Sequence, residues 1–134
     1  MPVTSPVQHY VTQSIMTASP GQLVLMLYDG ALRFMAQARA GFALPPDSAR
    51  RIETINTAIL RTEAILQELR ANLDHTSGGD LAENLHQLYD YYLRRLLEAN
   101  LRKDETALVE VENLVRELRD GWAEMLQQQE QIVA

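Results

Sequence analysis

The chain has 134 residues, 46% of them hydrophobic, which is enough for one domain with a core of its own. It holds no cysteine, which excludes disulfides and thiolate metal sites, and its 12 basic against 18 acidic residues leave a charge of −6 that counts against nucleic acid as a partner. No basic region followed by an apolar run opens the sequence, and no apolar segment approaches the roughly 20 residues that span a bilayer, so a soluble protein of the cytosol without membrane insertion is expected.

Residues 1–18 read as an arm or short extra helix. Pro2 and Pro6 break any early helix, and serines and threonines are frequent, yet Val7, Tyr10, Val11 and Ile15 recur at helical spacing and can lie apolar side down on the body. Ser19 then begins a capping box with Gln22, with Pro20 at the first helical position. From Leu23 through Val24, Leu25, Met26 and Leu27 to Tyr28 the helix is apolar without a break. At about 100° per residue such a run covers the whole circumference, so something beyond one bundle seam must cover it. Asp29 and Gly30 interrupt the run, and Gly30 predicts a close approach by another helix or by a bound backbone. Gly41 with Pro45 and Pro46 predicts a stop near Phe42.

The second helix is predicted from about Asp47, with Ile52, Ile55, Ile59, Leu66, Leu69 and Leu73 as its seam, interrupted by Thr62. The loop over 74–80 ends in Asp80 and Glu83, a second capping pair. On the third helix, Leu81 to about Leu101, one stripe carries Leu81, Leu85, Leu88, Tyr92, Leu96 and Ala99, and Tyr89, Leu93 and Leu97 form a second beside it. Asp90 with Arg94 and Glu98 with Arg102 predict ion pairs on a solvated face. Tyr91 points off both stripes and suggests a contact surface, while Asn84 and Asn100 can bond an extended partner backbone. After a tight turn at Lys103, Asp104 caps a fourth helix that keeps Leu108, Val111, Val115, Leu118, Trp122 and Met125 in step to about Gln129. Four helices of similar length with short loops predict an all-α antiparallel four-helix bundle over residues 19–134.

Chemistry is sparse. Glu83 and His86 have the Glu-x-x-His spacing of a di-metal bundle centre, but no second such pair exists, so no metal or other cofactor is expected. A histidine phosphotransfer bundle using His86 is the alternative function. Against it, Tyr89 and Asp90 follow where such domains usually place a lysine and a glycine, and Asp90 opposes an incoming anion. No nucleophilic cluster or phosphate loop can be named, and the residues argue for binding and not for an enzyme.

Two motifs resemble a known family. Tyr10-Val11-Thr12-Gln13, Thr17-Ala18-Ser19-Pro20-Gly21-Gln22-Leu23 and Leu25-Met26-Leu27-Tyr28-Asp29-Gly30-Ala31 resemble the N-terminal signature of FliS, the flagellar export chaperones for flagellin. Leu88-Tyr89-Asp90-Tyr91, Arg94-Arg95-Leu96-Leu97 and Ala99-Asn100-Leu101-Arg102 resemble its third-helix signature. The start Met1-Pro2-Val3 departs from the family in lacking an early tyrosine, and the tail after Met125 is short and rich in glutamine. The resemblance implies a chaperone of the bacterial cytosol that binds the disordered C-terminal segment of flagellin, prevents early polymerisation and delivers it to a component of the flagellar export gate. A homodimer of the free protein is a further expected partner. Joined to the apolar surplus of the first and third helices, it implies client-binding residues at Tyr10, Ile15, Leu23, Leu25, Leu27, Tyr28, Tyr89, Tyr91, Leu93, Leu97 and Asn100.

Overall fold

Ser19 starts the first helix of the computed structural model as its sequence requires. Its hydroxyl accepts from the Gln22 amide at 3.2 Å, and its own amide donates to Gln22 Oε1 at 3.1 Å. Residues 19–133 are described, with side chains through residue 130, and the arm over 1–18 lies outside them. The helices are α1 (Pro20–Phe42), α2 (Ala49–Ala71), α3 (Gly79–Arg102) and α4 (Glu105–Val133). Each packs on its neighbours in sequence, and α1 closes the square against α4. Directions alternate: Gly41 lies beside Ile55 while Gly30 lies beside Ile65. The architecture is the expected antiparallel four-helix bundle.

The centre is filled from all four helices, by Tyr28 and Met35 of α1, Ile55, Ile59 and Leu66 of α2, Tyr89 and Leu96 of α3, and Leu108, Val111 and Val115 of α4. Thr62 does not break the α2 seam. It is buried, and its hydroxyl donates to the Ala58 carbonyl at 2.9 Å, which satisfies it inside the helix. Between α1 and α4 the contact is tied by polar groups. Arg39 Nε lies 2.7 Å from the buried Glu112 carboxylate, Arg119 Nε donates to Asp29 at 2.8 Å, and Trp122 Nε1 donates to the Gly21 carbonyl at 2.9 Å.

Several local expectations are corrected. The core stripe of α3 is Ala82, Leu85, Tyr89, Tyr92, Leu96 and Ala99, whereas Leu81 and Leu88 stand 57% and 40% exposed. Leu85, Tyr92, Leu96 and Ala99 face inward as expected, but Leu81 and Leu88 give way to the residues that follow them, Ala82 and Tyr89, and the Tyr89 hydroxyl finds a partner inside. Ile52, expected in the α2 seam, is exposed in the first turn of its helix. Asp80 is no cap: α3 begins after Gly78 without a side-chain cap bond, and Asp80 stands in the first turn, where its charge meets the helix dipole. Gly41 is not a stop either. It is buried in α1, and a Cβ there would meet Ile55 Cγ1 at 2.9 Å and the Ile55 amide nitrogen at 3.1 Å, so this glycine is the close approach between α1 and α2. At Gly30 the neighbour is only a side-chain end, Ile65 Cδ1 at 3.2 Å.

The expected pairs along α3 are replaced by ties to other groups. Arg70 of α2 donates to Asp90 at 2.6 Å, and Glu98 accepts from Arg95, which also holds Glu110 of α4. Arg70 keeps the Asp90 carboxyl below its ordinary range, with lesser help from the charges of His86 and Arg94. A folded value below the unfolded one of about 3.9 contributes stability that is present above that value and lost as pH falls through the folded one. Asp90→Asn is therefore expected to unfold more easily than the parent at neutral pH, and the two denaturation midpoints should converge in acid. Parallel curves through the acid range would show that the pair contributes nothing to the pH dependence.

Candidate binding groove

The N-terminal half of α1 is held to α4 by Trp122, whose indole also meets the Tyr28 ring edge-on at 6.3 Å between centroids. On its other side it stands away from the C-terminal half of α2 and leaves a groove of about 1070 Å³. One wall is Leu23, Val24, Met26, Leu27, Arg33 and Phe34 of α1, and the other is Ile65, Glu68 and Leu69 of α2 with Asn72 and Leu73 just beyond its end. Leu85 and Tyr89 of α3 reach into it from across the bundle, beside Tyr28.

At its base the Tyr28 and Tyr89 hydroxyls share a hydrogen bond of 2.6 Å. Burial pushes both phenols above their ordinary range, so the pair stays neutral, and burial pushes the nearby Tyr92 up to about 12. A neutral, hydrogen-bonded base and apolar walls suit an apolar segment rather than an ion.

The candidate residues divide. Leu23, Leu27, Tyr28 and Tyr89 all line the groove, the two tyrosines as its buried base. Leu25 is half-buried and lines no part of it. Tyr91, Leu93, Leu97 and Asn100 lie elsewhere: the Tyr91 hydroxyl donates to Glu110 at 2.8 Å, Leu93 packs on the core, Leu97 is exposed, and Asn100 Oδ1 accepts from Lys103 Nζ at 2.7 Å. The polar ends of Tyr91 and Asn100 are thus engaged within the bundle. Tyr10 and Ile15 lie outside the described residues.

Sequence reasoning missed the α2 wall, because Leu69 and Leu73 keep the same spacing whether they face a helix or a gap. It missed Phe34 and Arg33 as well. The one available signal was the apolar surplus of α1, which required a cover but named no neighbour.

His86 stands apart from the groove. Its Nε2 lies 3.3 Å from Asp90 and its ring meets His75 at 5.4 Å between centroids, while its buried Nδ1 has no partner among the described residues. A carboxylate so close to the imidazole opposes a phosphoryl group, and nothing in this geometry favours phosphotransfer. Among the described residues no cluster of ligands can hold a metal ion, and no helix is long and apolar enough to cross a membrane.

Comparison with known proteins points one way. The family model described as flagellar protein FliS matches residues 3–129. The chain is 42% identical over 115 residues to the flagellar secretion chaperone FliS of Salmonella typhimurium, covering 86% of this chain and 82% of that one. It is 35% identical over 127 residues to the protein of that name from Bacillus subtilis, covering 95% and 90%, and 40% identical over 116 residues to that of Escherichia coli, covering 87% and 82%.

Proposed function

Because the chain belongs to the FliS family, we propose that it is an export chaperone of the bacterial cytosol that binds the disordered C-terminal segment of flagellin, keeps it from polymerising and delivers it to the flagellar export gate. The observation that carries this reading is the groove between α1 and α2. At about 1070 Å³ it is slightly larger than the roughly 300–1,000 Å³ of ordinary small-ligand clefts, and its apolar walls run along two helices, as the face of an amphipathic client helix requires. The relatives named as chaperones agree with a protein that binds rather than catalyses. Residues 1–18, which lead directly into Ser19 and Pro20 at the groove, are assigned to holding it until the client arrives.

A disordered client must pay its ordering entropy on binding, about 2–5 kcal/mol against a burial on the order of 1,000–3,000 Å². Mixing the chain with a flagellin C-terminal segment is expected to raise the helical circular dichroism above the sum of the parts, with a negative heat-capacity change in calorimetry. An additive spectrum rejects the reading. In the same titration a chain beginning at Ser19 should self-associate more when free and return to a one-to-one complex with client. If it stays monomeric and binds as the full chain does, residues 1–18 hold nothing.

A further inference from the structure

Three charged side chains line the groove, and two of them are already engaged: Asp29 accepts from Arg119 at 2.8 Å, and Glu68 Oε1 accepts from Asn72 Nδ2 at 2.9 Å. Arg33 is different. It is exposed on the α1 wall and makes no ion pair with any described carboxylate. Its Nη2 lies 3.6 Å from where a Cβ on Gly30 would stand, so the guanidinium rests over bare helix backbone at the level where α1 faces Ile65. Nor can the remaining residues answer it through a side chain, since neither 1–18 nor 131–134 contains an aspartate or glutamate. In a protein of net charge −6, an unpaired cation in the wall of this apolar groove requires an explanation.

We propose that Arg33 reads the client: the segment that fills the groove carries an aspartate or glutamate among its apolar residues, placed to pair with this guanidinium. The proposal rests on the export-chaperone reading and adds the charge pattern of the segment. Its physical basis is a penalty as much as an attraction. An apolar segment laid over Arg33 without an acid would strip water from the guanidinium and return nothing, whereas a carboxylate there accepts a charge-assisted bond.

The test titrates a flagellin C-terminal segment into the full chain, into Arg33→Gln and into Arg33→Glu, at low and at high salt. A second series uses segments in which each aspartate or glutamate is changed in turn to lysine. Because Arg33 is exposed and unpaired, both variants should melt as the parent does, and circular dichroism checks this. Arg33→Glu is expected to weaken binding about tenfold or more at low salt, with a smaller gap at high salt, and Arg33→Gln to fall between. One lysine-bearing segment should regain affinity for Arg33→Glu while losing it for the parent. If the parent binds and both variants match it, or if no segment recovers the loss, the assignment of Arg33 is overturned and the chaperone reading stands. If the parent itself does not bind the segment, both fall.

Discussion

Tyr28→Ala is expected to lower the free energy of unfolding by roughly 3–5 kcal/mol, the range for removing a large aromatic side chain from a core. Tyr28 is 0% exposed, its ring edge meets Trp122, and its hydroxyl bonds that of Tyr89 at 2.6 Å, so one truncation opens a cavity, strands a buried hydroxyl and releases the α1–α4 contact at the groove. Against the about 5–15 kcal/mol that holds an ordinary domain, this is a large share. Tyr28→Phe keeps the ring and isolates only the hydroxyl effect, which should cost about 1–3 kcal/mol. Urea denaturation of the three proteins measures both steps. An alanine variant within about 1 kcal/mol of the parent would mean that the bundle closes without this pair. Burial raises the folded-state values of both phenols. The stability that comes from keeping them neutral is therefore fully present below the unfolded value of about 10 and is lost only as pH rises towards the folded ones.

Gly30→Leu is expected to abolish client binding or weaken it by about a hundredfold, the second large effect, while leaving the bundle folded. Gly30 lines the groove, and its Cβ position is 3.2 Å from Ile65 Cδ1, the far end of a flexible side chain. An alanine methyl needs only a small shift of Ile65, and removing a glycine from a helix interior returns up to about 1 kcal/mol. Gly30→Ala should thus melt at or above the temperature of the parent. A leucine extends further into the space that the client would fill, at an overpacking cost of about 1–3 kcal/mol that the helix propensity partly offsets. Titration of the flagellin segment against parent, alanine and leucine proteins separates the two consequences. Equal affinities for all three would remove Gly30 from the site, and a leucine variant that fails to fold would show that this position closes the bundle instead. Gly41 provides the contrast, because there the Cβ would meet the Ile55 amide nitrogen, and backbone cannot step aside as a side-chain end can.

How much of this was legible beforehand follows from the range over which each signal acts. Helix limits are set by neighbours in sequence. The capping box at Ser19, the bonds that the Thr106 amide donates to Asp104 and the Arg50 amide to Ser48, and the short loops are all local, so α1 ends at Phe42 as expected and the bundle topology follows from loop length. The surplus of apolar residues from Leu23 to Tyr28 likewise called for a cover before any neighbour was known.

Tertiary packing decided the rest. A period of three and four identifies a stripe but cannot say which of two adjacent stripes faces inward, and the choice between Leu88 and Tyr89 turned on a hydroxyl sixty-one residues away. Nor can it tell a seam from a wall: Ile65, Leu69 and Leu73 border the groove beside a stretch of α1 that Trp122 ties to α4 through Gly21, a contact across 101 residues. Local chemistry determined where α1, α2 and α4 begin and that α1 carries more apolar surface than its bundle needs. Only the long-range placement of Trp122, Tyr89 and Arg119 determined where that surface opens, because a gap belongs to two helices at once and no single stretch of chain encodes it.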